Sequence, residues 1–308
     1  MKILFTGASS FTGLWFVREL ARAGHEVVAP LRRRREDYGE IRGLRVRQLE
    51  GLCRVVGDCP LGEGRFMELL KAQGPWDLLC HHAADVTNYK SPDFDPVAAL
   101  ANNTRNLRAI LSALGEGGCR KLVLTGSVFE PGEGAGSDAL RAVSPYGLSK
   151  GLTSQTVRYY AELAGFCLGK FVIPNTFGPY EEPRFTAYLA RCWRAGQTAR
   201  VAAPAYVRDN IHVSLLAKAY AAFVAGLGPA PGYQQTNPSG YVESMGDFTT
   251  RFAREMQPRL GCSCPYELAE QSDFPEPRVR TNTEALDGRR LGWDEAAAWD
   301  ELAEYYRT

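Results

Sequence analysis

The sequence predicts an α/β chain: a doubly wound parallel sheet with a smaller, interleaved C-terminal lobe. Three observations predict it. Short apolar runs alternate with helical spacing through the first 173 residues, a pattern that builds βαβ units with right-handed crossovers. The first apolar run ends in a glycine turn that opens directly into a helix. The chain has 308 residues, 45% hydrophobic and 23% charged, enough for one large α/β unit with an appendage.

Taken in order, Lys2–Thr6 is the first strand. Phe11–Ala23 carries apolar residues at helical spacing and stops at Gly24, a C-cap residue. His25–Leu31 is the second strand, closed by Arg32–Arg35. Arg54–Gly57 is the third, followed by a helix around Phe66–Lys71. Trp76–His82 is the fourth strand, and Pro96–Leu114 reads as one long helix. Lys121–Thr125 is the fifth strand, Ser144–Leu163 a helix and Phe166–Ile173 the sixth strand. Beyond these, Ser214–Leu227 is an alanine-rich helix and Gly228–Gly240 has Gly and Pro at turn density. Asp247–Met256 and Glu295–Tyr306 are further helices. Residues 1–173, with about 213–230, form the expected sheet domain; 174–212 and 231–308 form the lobe.

Composition excludes several classes. Lys plus Arg is 36 against 35 Asp plus Glu, a net charge of +1, so no basic surface for nucleic acid is expected. No apolar run reaches the ~18–20 residues that span a bilayer. The apolar start is too short for a signal peptide, and the expected compartment is the cytosol. The 8 cysteines are scattered, and Cys262 and Cys264 lack a second pair. Free thiols and no metal site are the expectation.

The segment Thr6-Gly7-Ala8-Ser9-Ser10-Phe11-Thr12-Gly13 joins the first strand to its helix. Gly7 frees the turn, and Gly13 lets helix and sheet approach. The helix N-terminus then offers unpaired N–H groups and partial positive charge to a pyrophosphate. Position on a strand-to-helix turn makes this a dinucleotide reading, although Ser10 stands where a glycine is usual. The second strand ends Pro30-Leu31-Arg32-Arg33 with no acid before Glu36. An acid there would bind ribose hydroxyls, whereas arginines suit a 2′-phosphate. NADP is favoured, with NAD possible, and Arg32 and Arg33 lie nearest the strand end.

Ser144-Pro145-Tyr146-Gly147-Leu148-Ser149-Lys150 contains Tyr and Lys one helical turn apart. An ammonium beside a phenol favours the phenolate and makes Tyr146 usable as a general acid or base. Ser127 closes Leu122-Val123-Leu124-Thr125-Gly126-Ser127 at a strand's carboxyl end, where ligands bind in open α/β sheets.

With these residues the chain resembles the short-chain dehydrogenase/reductase superfamily in its extended branch. That branch holds the NAD(P)-dependent nucleotide-sugar epimerases, dehydratases and 4-ketoreductases, with a Rossmann-type sheet. TGASSFTG resembles its TGxxGxxG. Val56-Gly57-Asp58 is similar to its adenine-contacting segment, and Leu79-Cys80-His81-His82-Ala83-Ala84 to its V-I-H-x-A-A strand end. Ser127, Tyr146 and Lys150 match its triad. Pro174–Pro179 resembles N-V-Y-G-P, Arg208–Val213 R-D-F-I-H-V, and Arg289–Trp293 the terminal LGW motif.

The resemblance implies roles. Tyr146 would exchange a proton with the reacting oxygen, Lys150 would hold the nicotinamide ribose, and Ser127 would bond the substrate oxygen. Cofactor contacts would come from Gly7, Ser9, Ser10, Phe11, Thr12, Gly13, Arg32, Arg33, Asp58, Cys59, His81, Ala83, Ala84, Tyr146, Lys150 and Pro174. A nucleotide-diphosphate sugar would meet Asp85, Ser127, Phe129, Asn175, Arg208 and Arg278. A homodimer through the helices 98–114 and 153–163 is implied, unless Leu107, Ile110, Leu111 and Leu114 are core. The family's helix-four asparagine is hard to place: Asn102, Asn103 and Asn106 crowd the region, but the register puts Leu100 at the expected position.

Val128 and Phe129 follow Ser127, where a 4,6-dehydratase needs an Asp–Glu pair; Glu130 is one position too far and reads as a surface turn. A fucose-synthase-like epimerase–reductase needs a Cys and a His for the carbon epimerisation, and no Cys follows Ser127 closely. Two reactions remain. NADPH-dependent reduction of a 4-keto sugar nucleotide is the first expectation, on the strength of the arginines. 4-Epimerisation through a transient ketone is the alternative.

Overall fold

The computed structural model describes residues 1–307, in two compact units. The first unit comprises Met1–Glu133, Arg141–Val172 and Tyr220–Thr236. Its strands are β1 (Lys2–Thr6), β2 (Glu26–Pro30), β3 (Arg54–Val56), β4 (Leu78–His81), β5 (Lys121–Ser127) and β6 (Cys167–Ile173), joined by a last strand, Gly232–Thr236. They form a parallel seven-stranded sheet in the order β3-β2-β1-β4-β5-β6 and then 232–236. The chain leaves β1 toward one edge and resumes at β4 on its other side. The carboxyl ends of β1 and β4 are therefore a topological switch point, where such sheets bind ligands.

Helices α1 (Phe11–Arg22), α2 (Glu40–Glu50), α3 (Gly64–Ala72), α4 (Pro96–Asn103), α5 (Leu107–Glu116) and α6 (Pro145–Leu163) connect the strands. One core packs Leu4, Leu79, Leu122 and Leu168 with Phe66, Ile110, Leu111 and Val157. Another group places Phe16 and Tyr220 in a stack at 4.0 Å, with Phe171 edge-on to both.

Three local expectations change. The segment 96–114 is two helices, not one. Asn106 takes a left-handed conformation at φ 52° and donates to the Gly62 carbonyl at 2.6 Å, which breaks the helical path. Leu107, Ile110, Leu111 and Leu114 all face the core and offer nothing to a partner. Helix α2 has little apolar signal in the sequence because Gly43, Arg45, Val46 and Leu49 form its buried side, and an arginine there hides the apolar period. The turn-rich stretch 228–240 contains the seventh strand, whose exposed, glutamine-bearing sequence at the sheet edge lacks a strand's apolar signature.

The second unit comprises Gly134–Leu140, Ile173–Ala219 and the described residues from Asn237 on. Its mixed sheet orders Tyr241–Ser244, Val207–His212, Val279–Thr281 and the bridge Ala135–Gly136, with Asn175–Phe177 also parallel to Val207–His212. An aromatic core of Phe177, Trp193, Phe248, Phe252 and Trp299 fills it. Buried Asp209 ties loops to the central strand by accepting from the Gly240 and Asn282 amides at 2.8 and 3.1 Å. Among the described residues, no helix is long and apolar enough to cross a membrane.

Candidate active site

The β1–α1 turn is built for close backbone approach. Gly7 has φ 79°, and a Cβ there would lie 2.6 Å from the Ala83 nitrogen. A Cβ on Gly13 would lie 2.4 Å from the Gly7 carbonyl oxygen. Ser10 is the N-cap: its hydroxyl accepts from the Gly13 amide at 3.1 Å and donates to the Gly7 carbonyl at 2.8 Å. The Ser10 side chain is thus folded into the turn. The first-turn amides of Phe11 and Thr12 have no intrahelical acceptor, and they suit a diphosphate at the positive end of α1. Ser9 is half-buried in the same turn. The residues present therefore fit a dinucleotide.

At the end of β2 the four arginines divide. Arg34 pairs with Asp37 at 3.1 Å, and Arg35 with Glu50 and the Val55 carbonyl. Arg32 and Arg33 are exposed and make no ion pair or side-chain hydrogen bond among the described residues. Asp58, at φ 52°, pairs with Arg65 at 3.4 Å. Its neighbour Cys59 is buried, its amide bonded to the Leu31 carbonyl, its thiol pushed up to about 11 by that burial. All eight cysteines are free.

Beyond β4, His81 is buried between the Thr6 hydroxyl at 3.1 Å and the Asn103 carbonyl at 2.9 Å. The Ala83 amide donates to the Thr6 hydroxyl at 3.2 Å, and Ala84 follows, half-buried. Of Asn102, Asn103 and Asn106, only Asn103 is buried. Its side chain, almost fully buried, accepts from the Asp85 amide at 2.7 Å and donates to Thr153 on α6 at 3.1 Å. Burial works upward on the Asp85 carboxyl, but hydrogen bonds from Thr87 and Asn102 and the charge of Arg32 bring it below its usual range.

Helix α6 starts at Ser144, whose hydroxyl accepts from the Gly147 amide at 3.1 Å. It is seated on the turn after β5. A Cβ on Gly147 would lie 2.4 Å from the Phe129 carbonyl, and one on Gly151 2.6 Å from the Pro131 ring. This close seating sets the first turns of α6, which carry Tyr146 and Lys150, against the turn that follows Ser127. Lys150 is buried and donates to the Thr125 carbonyl at 2.6 Å. Burial lowers its pKa, Glu130 opposes that, and Lys170 adds to it. The buried Ser127 hydroxyl accepts from the Phe129 amide at 3.3 Å. Tyr146 lies edge-on to Tyr89 and Phe94, with ring centroids at 5.2 and 6.3 Å.

The surface-turn reading of Glu130 is wrong. Glu130 is wholly buried, and its carboxylate accepts from the Ser127 amide at 2.8 Å. Lys170 on β6 lies 2.6 Å from both Glu130 and Glu133. Gly126 makes room for this group: a Cβ there would lie 2.7 Å from Lys170 Cε. Nothing local in the sequence links residues 130 and 170; only pairing across the sheet does.

In the second unit, Pro174 is buried, and Asn175 is half-buried and in register with Asn210. Arg208 is buried, with one guanidinium nitrogen on the carbonyls of Val207, Pro277 and Arg278 at 3.0–3.2 Å and another on Glu276 at 3.1 Å. Arg278 is exposed, its guanidinium 5.5 Å from the Phe274 ring. Arg280 was not singled out from the sequence, yet it is buried on the strand beside Arg208 and in register with it. Among the described residues, no three His, Cys, Asp or Glu are grouped to hold a metal ion.

The sequence profile of the NAD dependent epimerase/dehydratase family matches residues 3–231. The chain is 27% identical over 331 residues to a UDP-glucose 4-epimerase of Mycolicibacterium smegmatis, covering 100% of this chain and 99% of the relative. A UDP-glucuronic acid 4-epimerase from Bacillus cereus shares its fold at TM-score 0.76 and 16% identity, covering 100% and 99% of the two chains. The dTDP-glucose 4,6-dehydratase DesIV of Streptomyces venezuelae shares it at 0.72 and 19%, covering 100% and 97%.

Proposed function

The chain belongs to the NAD dependent epimerase/dehydratase family, and from that premise we propose that it is a nucleotide-sugar 4-epimerase working through a transient ketone. The observation that carries this is the Ser127–Tyr146–Lys150 group on the β5 turn and α6, in a chain aligned end to end with a UDP-glucose 4-epimerase. This reverses the order of the two reactions favoured by the sequence alone. When bound, a nicotinamide would supply reversible hydride chemistry at C4 of the sugar.

The chain's own residues do the rest. Tyr146 takes the proton of the C4 hydroxyl and gives it back. Lys150, one turn along, favours the phenolate by its charge. Ser127 donates to the sugar oxygen. The turn Gly7–Gly13 holds the diphosphate of the dinucleotide, with Asp58, Cys59, His81, Ala83, Ala84 and Pro174 around the rest of it. Asp85 and Phe129 border the sugar. Asn175 and Arg208 bind the nucleotide diphosphate of the substrate, Arg208 exchanging Glu276 for it. Arg280 is a better second arginine than Arg278 because it lies in register with Arg208. A homodimer would use the exposed Val97 and Leu148 together with Tyr159 and Leu163, which are about two-thirds exposed on α6.

A second reading, NADPH-dependent 4-ketoreduction, is favoured by Arg32 and Arg33. They follow β2, exposed and with no ion pair or side-chain hydrogen bond among the described residues, and offer bidentate geometry for a 2′-phosphate. One experiment separates the readings: UDP-glucose, UDP-galactose and UDP-glucuronate, then 4-keto sugar nucleotides, incubated with NAD or NADPH. Isomerisation without mass change supports the epimerase. Dinucleotide oxidation with a two-hydrogen mass gain establishes the reductase in its place.

A further inference from the structure

His82 fills the variable position of the strand end that follows β4, and no role in the reaction falls to it. Its environment is unusual. One ring nitrogen, Nε2, lies 3.0 Å from the Ser10 hydroxyl and 3.1 Å from the Thr12 hydroxyl. The other, Nδ1, lies 2.8 Å from the Thr125 hydroxyl. Phe5 and Phe16 flank the ring at 5.7 and 5.3 Å.

Hydrogen-bond geometry favours one state of the ring. The single Ser10 hydroxyl proton is on the Gly7 carbonyl, and the oxygen already accepts from the Gly13 amide. Toward His82 the Ser10 oxygen can only accept again, so Nε2 carries the proton and shares it with Thr12. Nδ1 is then the acceptor, and the Thr125 hydroxyl donates to it. Burial keeps the ring neutral, pushing its pKa down to about 3, with Lys150 and His81 adding to the effect. Thr125 is also the residue whose carbonyl holds Lys150 at 2.6 Å.

We propose that His82 is a positioning residue that allows a serine to stand in the phosphate turn. As the Nε2–H tautomer it holds Ser10 and Thr12 inward and ties the turn to Thr125 of β5, whose carbonyl accepts from Lys150 of α6. In a glycine-only turn this bond has no counterpart, since no side chain needs to be kept clear of the diphosphate. In this chain a Ser10 side chain not held inward would compete for the α1 amides other than that of Gly13, which it already caps. The proposal rests on the dinucleotide reading of this turn and deepens it.

The test is a double-mutant cycle on dinucleotide affinity, with NADPH and NAD titrated calorimetrically against the full chain, Ser10→Gly, His82→Ala and both together. Losing one buried hydrogen bond to the turn is expected to weaken binding about tenfold in His82→Ala. In the Ser10→Gly background the same change is expected to cost about twofold or less, because the residue it restrains is gone. His82→Gln, which can donate and accept at once, should recover most of the affinity. The ring ¹⁵N shifts of the full chain should report the Nε2–H tautomer, unprotonated down to about pH 5.

An equal loss in both backgrounds, or an Nδ1–H tautomer, would overturn the proposal. If His82→Ala does not fold, the Gln variant and the ¹⁵N shifts decide it alone. Wild-type protein that binds neither dinucleotide overturns the reading of the turn itself, a result separate from any background-independent loss.

Discussion

The two units hold their chosen cations differently. In the sheet unit, Lys150 makes one hydrogen bond, to the Thr125 carbonyl, and Arg32 and Arg33 make no ion pair or side-chain hydrogen bond among the described residues. In the smaller unit, Arg208 is already satisfied by three carbonyls and Glu276. Spare donors at the carboxyl edge of a parallel sheet are ready for a ligand as they stand. A buried guanidinium surrounded by its own backbone must exchange a partner before it can bind one. The first unit is therefore legible as a site from its unpaired groups, and the second reads first as a structural device.

The largest effect should come from the phenol. Tyr146→Phe is expected to lower kcat about 10³-fold, in the range for a lost general acid–base group. Dinucleotide affinity should stay within about threefold. Turnover near wild type would remove Tyr146 from the chemistry and erase the contrast between the units.

Next is the buried ion group. Lys170→Met leaves Glu130 and Glu133 facing each other without a cation, which should cost about 3–5 kcal/mol in urea unfolding. The Arg251–Glu243 pair of the second unit is more exposed. Arg251→Met should cost less than about 1 kcal/mol. Equal losses would mean that Glu130 is not the anchor of the Ser127 turn.

A pH effect of opposite character belongs to the second unit. Burial raises the Glu181 carboxyl to about 7 against a hydrogen bond from Thr186. In the folded state it keeps a proton that the unfolded chain releases near 4.5. The unfolded state then binds fewer protons between those values, so stability falls as pH rises through that window. Glu181→Gln should remove the slope and add about 2–3 kcal/mol at pH 8 by urea unfolding. An unchanged slope would place the titration elsewhere.

The smallest effect concerns cofactor choice. Arg32→Ala with Arg33→Ala should weaken NADPH about tenfold or more and NADH less than threefold. Equal losses, by titration, would show that these arginines do not read a 2′-phosphate.

Much of the first unit was legible because its chemistry lies in short local patterns. The turn Gly7–Gly13 and the Tyr146–Lys150 turn each specify geometry within eight residues. What escaped depends on pairing across distance. His82 meets Ser10 and Thr125 only because β1, β4 and β5 are neighbours. Glu130 meets Lys170 from β6, the next strand of the sheet beyond β5. Asn103 could not be told from Asn102 or Asn106 until helix packing buried it and the left-handed Asn106 ended the helix. In the second unit, Arg280 and Arg278 are two residues apart, and only the register beside Arg208 distinguishes them.

The most direct test of the central claim follows one atom. The protein would be given UDP-glucose deuterated at C4 with an excess of unlabelled NAD, and the products read by mass and NMR. UDP-galactose that retains its deuterium, with none in the free dinucleotide, is the expected result. Deuterium accumulating in the dinucleotide pool, or a sugar that never inverts, would contradict it.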